Sequence, residues 1–414
     1  MDYIIKRDGR KVEFNETKII NAVIAAMEEC DGTVDASLAR NIADAIHDVE
    51  TICTVEQIQD MVESMLMDSS RQDVAKAYIL YRAERTKQRD LRNQVIQQVY
   101  AKTSGSNIEN SNANVDEATF GGRKNEAASA LQKSIALDHV MSQDIAQAHK
   151  DGLIYQHDLD HYNVGAHNCL FIDFKKIFEN GFSTRNGDVR SPGSFSTACQ
   201  LVAVAFQIQS QCQYGGVGSV HIDTDLAPYV RLSFAKHYKD GLKYLCNCPI
   251  VMPSIQEMLD NPYGDWHIDE YLWQKWDNRV YSYAMEMLER EGKQAAQGLY
   301  HNLNTLESRA GSQVPFTSIN LGRDTTPEGR LVTKWLLEAS IEGIGKHHTT
   351  SIFPISIFSY KKGVNVYPGD PNYDLKQLAL KSLARRIYPN WCNGEFSEAH
   401  EEENNPDSVF STMG

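Results

Sequence analysis

The chain has 414 residues, more than one compact core usually holds, so two or more domains are expected. Hydrophobic residues make up 42% and charged residues 23%, as in an ordinary globular protein, and a net charge of −14 argues against broad affinity for nucleic acid backbones. The sequence shows no run of about 18 apolar residues, and its start lacks the apolar core of a signal peptide. These features predict a cytoplasmic protein whose partners are neither nucleic acids nor membranes.

The eight cysteines indicate neither a disulfide framework nor a common zinc site. In a cytoplasmic chain of this size they are expected to be reduced thiols, and the sequence has no C-x-x-C pair. Cys246 and Cys248 are too close for the usual zinc motif, so we interpret them as incidental thiols, with redox chemistry as the alternative. The other cysteines are Cys30, Cys53, Cys169, Cys199, Cys212 and Cys392.

The first predicted elements are a β-hairpin and four helices. Residues 3–7 and 10–14 form the strands around Asp8-Gly9, a dipeptide suited to a type I′ turn. Asn15 is a candidate N-cap for a helix through about Glu28. The remaining helices are predicted at residues 36–49, after Thr54 with Gln57 completing a capping box, and from about Asp73 with Val74, Ala77, Tyr78 and Tyr81 on one side.

The polar residues 102–114 are rich in turn formers and form the best candidate for a domain boundary. Beyond them, predicted helices alternate with short predicted strands, which favours an α/β domain. The helices are predicted at residues 127–147 and 332–344, and the strands at residues 166–174, 317–321 and 351–359. The acidic residues 395–407 are predicted to form a solvated loop.

Positive charge is concentrated around the hairpin turn and the following helix start, at Lys6, Arg7, Arg10, Lys11 and Lys18. Backbone N–H groups at a turn and at a helix start, with Lys and Arg nearby, can bind phosphate oxygens. The alternative is a solvated basic hairpin without a ligand.

Residues 3–93 resemble the ATP-cone, the regulatory domain of ribonucleotide reductases. The matching segments are residues 5–10 (IKRDGR), 14–15 (FN), 18–19 (KI), 54–59 (TVEQIQ) and 77–82 (AYILYR). The resemblance implies that ATP and dATP are allosteric effectors, with contacts from Lys6, Arg7, Asn15, Lys18 and Thr54. A transcriptional repressor of reductase genes also has a cone, but it carries a zinc ribbon before the cone, which argues against it here.

Several segments of the second part have two interpretations. Residues 157–161 (HDLDH) combine imidazoles and carboxylates, but side chains at this spacing cannot all converge, so we favour structure or substrate positioning over a metal site. The glycine-rich residues 213–218 lack a P-loop lysine and predict a tight connection. Residues 317–321 are either an ordinary sheet strand or a pocket wall. Cys169, on the predicted strand 166–174, is either a small buried hydrophobe or a functional thiol.

Segments spread in order over the rest of the chain resemble the anaerobic (class III) ribonucleoside-triphosphate reductases. They are residues 112–123 (NANVDEATFGGR), 157–160 (HDLD), 168–170 (NCL), 313–320 (QVPFTSIN), 353–355 (FPI) and 410–414 (FSTMG). The resemblance implies an α/β protein with a small α+β ATP-cone at residues 1–93 and a helix end and linker at residues 94–114. Residues 115–414 would then form an incomplete ten-stranded α/β barrel of the glycyl radical enzyme type, ending at its finger loop.

The family reduces ribonucleoside triphosphates to deoxyribonucleoside triphosphates by glycyl and thiyl radical chemistry. The resemblance makes Cys169 the second active-site cysteine, opposite the thiyl across the ribose, with Asn320 and Met413 as further catalytic residues. Members that use formate combine the Asn-Cys motif with a methionine two residues before the radical cysteine, so Cys169 and Met413 favour formate over a small dithiol protein. The expected substrate-binding residues are His157, Asp158, Gln313 and Ser318, and no metal ligand is expected.

The family's thiyl cysteine, four-cysteine zinc site and glycyl radical loop are missing from these 414 residues. We therefore expect a fragment that is inactive alone, and whose parent enzyme is a homodimer served by a radical S-adenosylmethionine activating enzyme. The alternatives are a regulatory nucleotide-binding protein built from the cone and an inert half-barrel, or a glycyl radical enzyme with another substrate, against which the cone argues.

The position of Gly414, directly before the expected cysteine, has two explanations. Protein-splicing elements favour such positions, because splicing needs Cys, Ser or Thr as the first residue after the insertion. An insertion or gene break at this bond is therefore one hypothesis, and an arbitrary end is the other.

Overall fold

The computed structural model describes residues 1–103, 119–165, 167–247, 253–269, 273, 277–394 and 413. The chain divides into two units between Ala101 and Lys102, a point inside the segment predicted as helix end and linker. Three predicted features lie wholly or largely outside the described residues: the linker at 102–114, the acidic loop at 395–407 and Cys248.

The first unit is a two-stranded hairpin followed by four helices. Strand β1 (Tyr3–Ile5) pairs antiparallel with β2 (Lys11–Glu13). The helices are α1 (Glu16–Cys30), α2 (Ala36–His47), α3 (Val55–Asp68) and α4 (Gln72–Thr103). All four predicted helices are therefore present, with ends shifted by a few residues, except that α4 continues to Thr103, well beyond its predicted apolar side.

Polar caps and apolar stripes explain where these helices begin and pack. Asn15 caps α1 by accepting a hydrogen bond from the Thr17 N–H at 3.0 Å. Thr54 and Gln57 form the predicted capping box of α3. Val23, Met27 and Leu66 are fully buried in the core. Tyr81 was predicted on the buried side of α4 but is exposed, because the core of this unit ends at Tyr78.

The hairpin turn differs from the predicted type I′ turn. The Gly9 N–H donates to the Lys6 carbonyl at 2.9 Å, and the Lys6 N–H donates to the Arg10 carbonyl at 2.9 Å. Gly9 has a φ of +80°, whereas Asp8 has no positive φ. This is the three-residue loop in which a left-handed glycine follows a type I turn. The side chain of Asp8 stabilises it by accepting the Arg10 N–H at 3.1 Å.

The second unit contains a five-stranded parallel sheet whose strands lie in chain order. The strands are β3 (Leu170–Ile172), β6 (Val217–Ser219), β7 (Thr317–Leu321), β8 (Ile355–Tyr360) and β9 (Asn390–Asn393). In the sequence between β3 and β6, the strands β4 (Phe182–Thr184) and β5 (Gly187–Val189) form a separate antiparallel hairpin. Parallel connections are nearly always right-handed, so strands in chain order wind in one direction, as in an α/β barrel. The α/β class predicted from the sequence is confirmed.

Helices precede and connect these strands. They are α5 (Phe120–Ile135), α6 (Gln143–Lys150), α7 (Phe174–Asn180), α8 (Phe195–Ser210), α9 (Ile222–Cys246), α10 (Pro253–Asp260), α11 (Asn278–Thr305), α12 (Pro327–Glu342) and α13 (Tyr373–Arg386). The predicted helix at residues 127–147 is in fact two helices, α5 and α6, separated by a π-helical turn at Ala136–Val140.

Three other predicted elements have different limits in the structure. The strand predicted at residues 166–174 is shorter, because Asp173 caps α7 by accepting the Lys176 N–H at 3.1 Å. The strand also begins later than predicted, so that Cys169 lies just before β3 and not on it. The strand predicted at residues 351–359 begins only at Ile355, since Pro354 has no N–H for a ladder bond. Helix α12 starts earlier than predicted, at Pro327 after the Thr326 cap.

The core of the second unit lies between the sheet and the helices α8, α9, α11 and α12. Trp335 of α12 is fully buried and packs against Phe195, with ring centroids 5.1 Å apart. Gly292 of α11 permits this packing, because a Cβ atom there would lie 2.4 Å from the Trp335 ring. The strand β7 is buried over its whole length, so its ends and neighbours determine which groups reach a cavity.

Candidate functional site

The first unit has a cavity of about 560 Å³ between the hairpin, α1 and α3. Four of the five predicted nucleotide contacts line it: Lys6, Arg7, Asn15 and Lys18. Its apolar wall is formed by Ile4, Val12, Ile19, Ala22, Ile58 and Tyr78. A cavity with cations on one wall and apolar side chains on another suits a nucleotide, whose phosphates and base have these two characters.

Thr54, the fifth predicted contact, lies outside the lining but next to Val55, which belongs to it. Its hydroxyl accepts the Gln57 N–H at 3.3 Å. The Ile5 N–H donates to the Cys53 carbonyl at 3.0 Å, which joins β1 to the residue before Thr54. Thr54 therefore holds the start of α3 beside the hairpin, and its contact with a nucleotide stays a prediction.

The two arginines of this cavity are paired with carboxylates. Arg7 contacts Glu56 and donates to Gln59 Oε1 at 2.9 Å. Arg10 lies 2.6 Å from Asp8, and the hydrogen bond from Arg10 lowers the pKa of that carboxyl. Among the described residues, neither Lys6 nor Lys18 lies within ion-pair distance of a carboxylate. The lysines are thus the cations most readily available to phosphate.

In the second unit, Cys169 and Met413 meet at the glycine-rich segment before β6. A Cβ atom on Gly216 would lie 3.6 Å from Met413 Sδ and 3.9 Å from Cys169 Sγ. The Gly216 N–H donates to Cys169 Sγ at 3.3 Å, and the Cys169 side chain is exposed. The structure therefore brings two residues together that are far apart in sequence and that the sequence analysis placed in one site.

Glycine is required where this segment passes Cys169. A Cβ atom on Gly215 would lie 2.5 Å from both the Asn168 carbonyl carbon and the Cys169 nitrogen. The Gln213 side chain adds to the turn by donating to the Gly216 carbonyl at 2.7 Å. The predicted tight connection at residues 213–218 thus also fixes the backbone around the thiol.

A second cavity, of about 320 Å³, is lined in part by Gln213 and Tyr214 at the start of the same glycine-rich segment. His161 and Tyr214 form one wall, with ring centroids 3.7 Å apart. Burial and the charges of Asp160 and Asp158 raise the pKa of Tyr214 to about 12. Arg309, which sequence reasoning missed, forms another wall, and burial lowers its pKa. No local motif marks Arg309, because two of its three hydrogen-bond partners, Tyr214 and Gly215, come from a distant segment.

The residues 157–161 do not converge on one point. His157 Nδ1 lies 2.7 Å from Asp158, and its side chain is otherwise largely exposed. Asp160 instead accepts a hydrogen bond from the Ser129 hydroxyl. Within the part of the chain that the structure describes, no group of three or more His, Cys, Asp or Glu side chains is placed to hold a metal ion.

The other predicted substrate residues differ in their access to the cavities. Gln313 lines the second cavity and accepts from Arg309 Nε at 3.1 Å. Ser318 is buried in β7. Asn320 is 1% exposed and donates to the Ser219 carbonyl at 2.9 Å, which ties β7 to β6. The roles predicted for His157, Asp158, Gln313, Ser318 and Asn320 remain predictions.

A buried carboxylate at the carboxyl end of β7, the end away from Cys169, was also missed by sequence reasoning. Asp223 accepts the N–H groups of Gly322 at 2.8 Å, Arg323 at 3.1 Å and Asp324 at 3.2 Å. Burial, with the charge of Asp324, raises the pKa of Asp223 to about 6. Its role is to fix the turn after β7, far along the strand from Cys169.

Comparison with known protein families agrees with both units. The family model of the ATP cone domain matches residues 2–87, so the first unit is an ATP cone domain. The model of the anaerobic ribonucleoside-triphosphate reductase matches residues 111–414. The chain belongs to the anaerobic ribonucleoside-triphosphate reductase family, as the sequence motifs predicted. None of the described helices is long and apolar enough to cross a membrane.

The relatives are reductases roughly twice as long as this chain. The anaerobic ribonucleoside-triphosphate reductase of Haemophilus influenzae is 32% identical over 94% of this chain and 52% of its own length. The Escherichia coli enzyme is 31% identical over 94% of this chain and 51% of its own length. The Thermotoga maritima anaerobic ribonucleotide reductase, solved with dATP and CTP, aligns with a TM-score of 0.44 at 15% identity, covering 73% of this chain and 49% of that one. The chain spans about half the length of the curated relatives it matches.

Proposed function

We propose that this chain provides the allosteric cone and the N-terminal part of the catalytic domain of an anaerobic reductase that converts ribonucleoside triphosphates to deoxyribonucleoside triphosphates. The observation that carries the proposal is the meeting of Cys169 and Met413 at Gly216, in a chain whose two family matches follow each other at residues 2–87 and 111–414. The proposed site of action is the cytoplasm.

Cys169 is the residue of this chain that acts on the ribose. Replacing the 2′-hydroxyl by hydrogen requires two electrons and two protons and releases water. The thiol of Cys169 is exposed, oriented by the Gly216 N–H at 3.3 Å, and so can donate hydrogen to the sugar. Formate, oxidised to carbon dioxide, is the proposed source of the two electrons, and the proximity of Met413 to the same glycine supports this choice.

The remaining parts of the proposed machinery do not come from these residues. The glycyl radical supplies the one-electron chemistry that starts the reaction, and a radical S-adenosylmethionine enzyme generates it. The structural zinc site belongs with that radical segment. The active enzyme is proposed to be a homodimer, as expected from the family resemblance, and the 414 residues alone are expected to give no turnover.

The cone is proposed to bind ATP and dATP and to adjust the activity of the reductase. The support is the 560 Å³ cavity, with Lys6 and Lys18 on its cationic wall and Tyr78 and Ile58 on its apolar wall. Burial raises the pKa of Tyr78, so its side chain stays neutral beside the base of a bound nucleotide.

The proposal is tested in a polypeptide that extends these 414 residues to the length of the reductase relatives. With the activating enzyme, S-adenosylmethionine and formate, the anaerobic protein should form deoxyribonucleotides that chromatography detects. Cys169→Ala should lower kcat by at least roughly a thousandfold, since the hydrogen donor is removed. The control Cys30→Ala, an exposed thiol in the cone, should keep full activity. Full activity of Cys169→Ala would show that the thiol has been assigned wrongly.

A further inference from the structure

Arg309 is a buried cation whose protein partners are all neutral. It is 7% exposed and lies on the wall of the 320 Å³ cavity. Its Nε donates to Gln313 Oε1 at 3.1 Å, its Nη1 donates to the Gly215 carbonyl at 3.3 Å, and its Nη2 donates to the Tyr214 carbonyl. Each acceptor is an amide or carbonyl oxygen, so none neutralises the charge.

The Arg309 guanidinium has more N–H donors than its hydrogen bonds use. Five N–H groups are available on an arginine, and three take part in these bonds. Two N–H groups are therefore left without an acceptor among the described residues. No described carboxylate lies within ion-pair distance of Arg309, and the charge of Asp158 acts on it only from farther away. A buried charge is costly unless it is paired, and this imbalance points to an anionic ligand.

The rings around Arg309 limit the direction from which a ligand can approach. The guanidinium lies over the Phe316 ring at 4.3 Å and over the Tyr214 ring at 5.1 Å. The N–H groups of a guanidinium lie in its plane, so an anion binds at its edge and not over a face. The edge of a guanidinium is the part that binds carboxylate or phosphate oxygens in pairs.

Ser210 provides an independent observation in the same cavity. It is the last residue of α8, is 2% exposed and lines the cavity. Its hydroxyl has no hydrogen-bond partner among the residues that the structure describes. A buried, unpartnered hydroxyl in a polar cavity is expected to bind a ligand or water.

We propose that this cavity is an oxyanion-binding site in which Arg309 and Ser210 hold either a phosphate group of a nucleotide or the carboxylate of formate. That the anion is a nucleotide phosphate or formate rests on the proposed function. That the site binds an oxyanion rests on Arg309 and Ser210 alone. The volume of about 320 Å³ is more than formate requires and therefore favours a phosphate with part of its sugar.

Anion titration of the whole chain tests the site. The titrations are made in a Lys6→Ala, Lys18→Ala background, so that the cone does not contribute binding. Calorimetry with inorganic phosphate, tripolyphosphate and sodium formate, at fixed ionic strength, should show saturable binding of at least one of them. Arg309→Gln should weaken it by roughly tenfold or more, because a charge-assisted bond is lost. The control Arg279→Gln changes a largely exposed arginine at the start of α11 and should have no effect.

Ser210→Ala distinguishes a role in ligand binding from a role in stability. It also tests the proposed anion site if Arg309→Gln does not fold. Since the Ser210 hydroxyl has no partner, its removal should leave the ligand-free Tm unchanged or higher. Anion affinity should nevertheless fall several-fold. Binding of formate alone would identify a carboxylate site, and binding of phosphate or tripolyphosphate a phosphate site. Absence of saturable binding, or unchanged affinity in both variants, would overturn the proposal, while leaving the reductase activity to be judged by turnover.

Discussion

At the scale of single residues, the pairing of Arg7 with Glu56 bears on how the cone binds nucleotides. Glu56 lies in the first turn of α3. Its carboxylate pairs with the Arg7 guanidinium, which a bound phosphate would also need. Burial raises the pKa of Glu56, but the hydrogen bond from Arg7, a backbone hydrogen bond and the charges of Arg7 and Arg89 together outweigh burial and lower the pKa overall. A triphosphate must therefore compete with a charged carboxylate for Arg7, whereas Lys6 has no such competitor among the described residues.

Glu56→Gln should consequently strengthen dATP binding to the chain, by about two- to tenfold, because exposed ion pairs contribute little more than this. Lys6→Ala should weaken binding by roughly tenfold, since a charge-assisted bond to phosphate is lost. Isothermal titration calorimetry measures both effects.

Two controls accompany these variants. Lys11→Ala changes a lysine of the same hairpin that stacks on Tyr3 at 4.5 Å and does not line the cavity. Glu63→Gln changes a carboxylate of α3 that pairs with Arg82 instead. Both should bind dATP as the wild type does. Weaker binding by Glu56→Gln would mean that Glu56 assists the ligand rather than competing with it.

At the scale of elements, the sequence predicted structures that depend on neighbouring residues. The Asn15 cap, the Thr54–Gln57 capping box and the strand at residues 317–321 are all present, because each is encoded within a few positions. The meeting of Cys169 with Met413 followed only from the family motifs, since nothing in their local sequence connects them. Arg309 and Asp223 were missed for the same reason, as their partners lie about 95 and 100 residues away.

The contact between α11 and α12 shows how a single position controls the packing of two elements. Gly292→Ala places a methyl group 2.4 Å from the Trp335 ring, which is fully buried and cannot move freely. Overpacking of this kind costs about 1–3 kcal/mol and exceeds the gain of up to about 1 kcal/mol from the higher helix propensity of alanine. We expect a net loss of stability, measured by urea denaturation.

Gly298 on the same helix provides the matched control for this prediction. A Cβ atom there would meet no heavy atom within 4 Å. Gly298→Ala should therefore leave stability unchanged or raise it by up to about 1 kcal/mol, the difference in helix propensity. Equal effects of the two substitutions would mean that α11 and α12 do not pack as closely as described.

At the scale of the whole molecule, the two units have separate hydrophobic cores. The buried core of the first unit runs from Ile19 to Tyr78, with Ile4 of the hairpin packed against it, and the main core of the second unit begins at Phe174. The cavity proposed for the nucleotide is also formed wholly within the first unit. The proposed regulatory and catalytic functions therefore belong to parts of the chain that can be studied one at a time.

A polypeptide of residues 1–103, which ends with α4, should fold by itself and bind dATP. Its melting, followed by circular dichroism, should be cooperative, because the hairpin and four helices share one core. A ligand at about 100 times its Kd stabilises a folded domain by about 2.7 kcal/mol, so dATP at that concentration should raise Tm by several degrees. The shift should fall to about half in Lys6→Ala, whose binding is expected to be about tenfold weaker, and should persist in full in Lys11→Ala. A gradual, non-cooperative melt would show that the cone needs the rest of the chain to fold, and a cooperative melt without a dATP shift would show that the cavity does not bind the nucleotide.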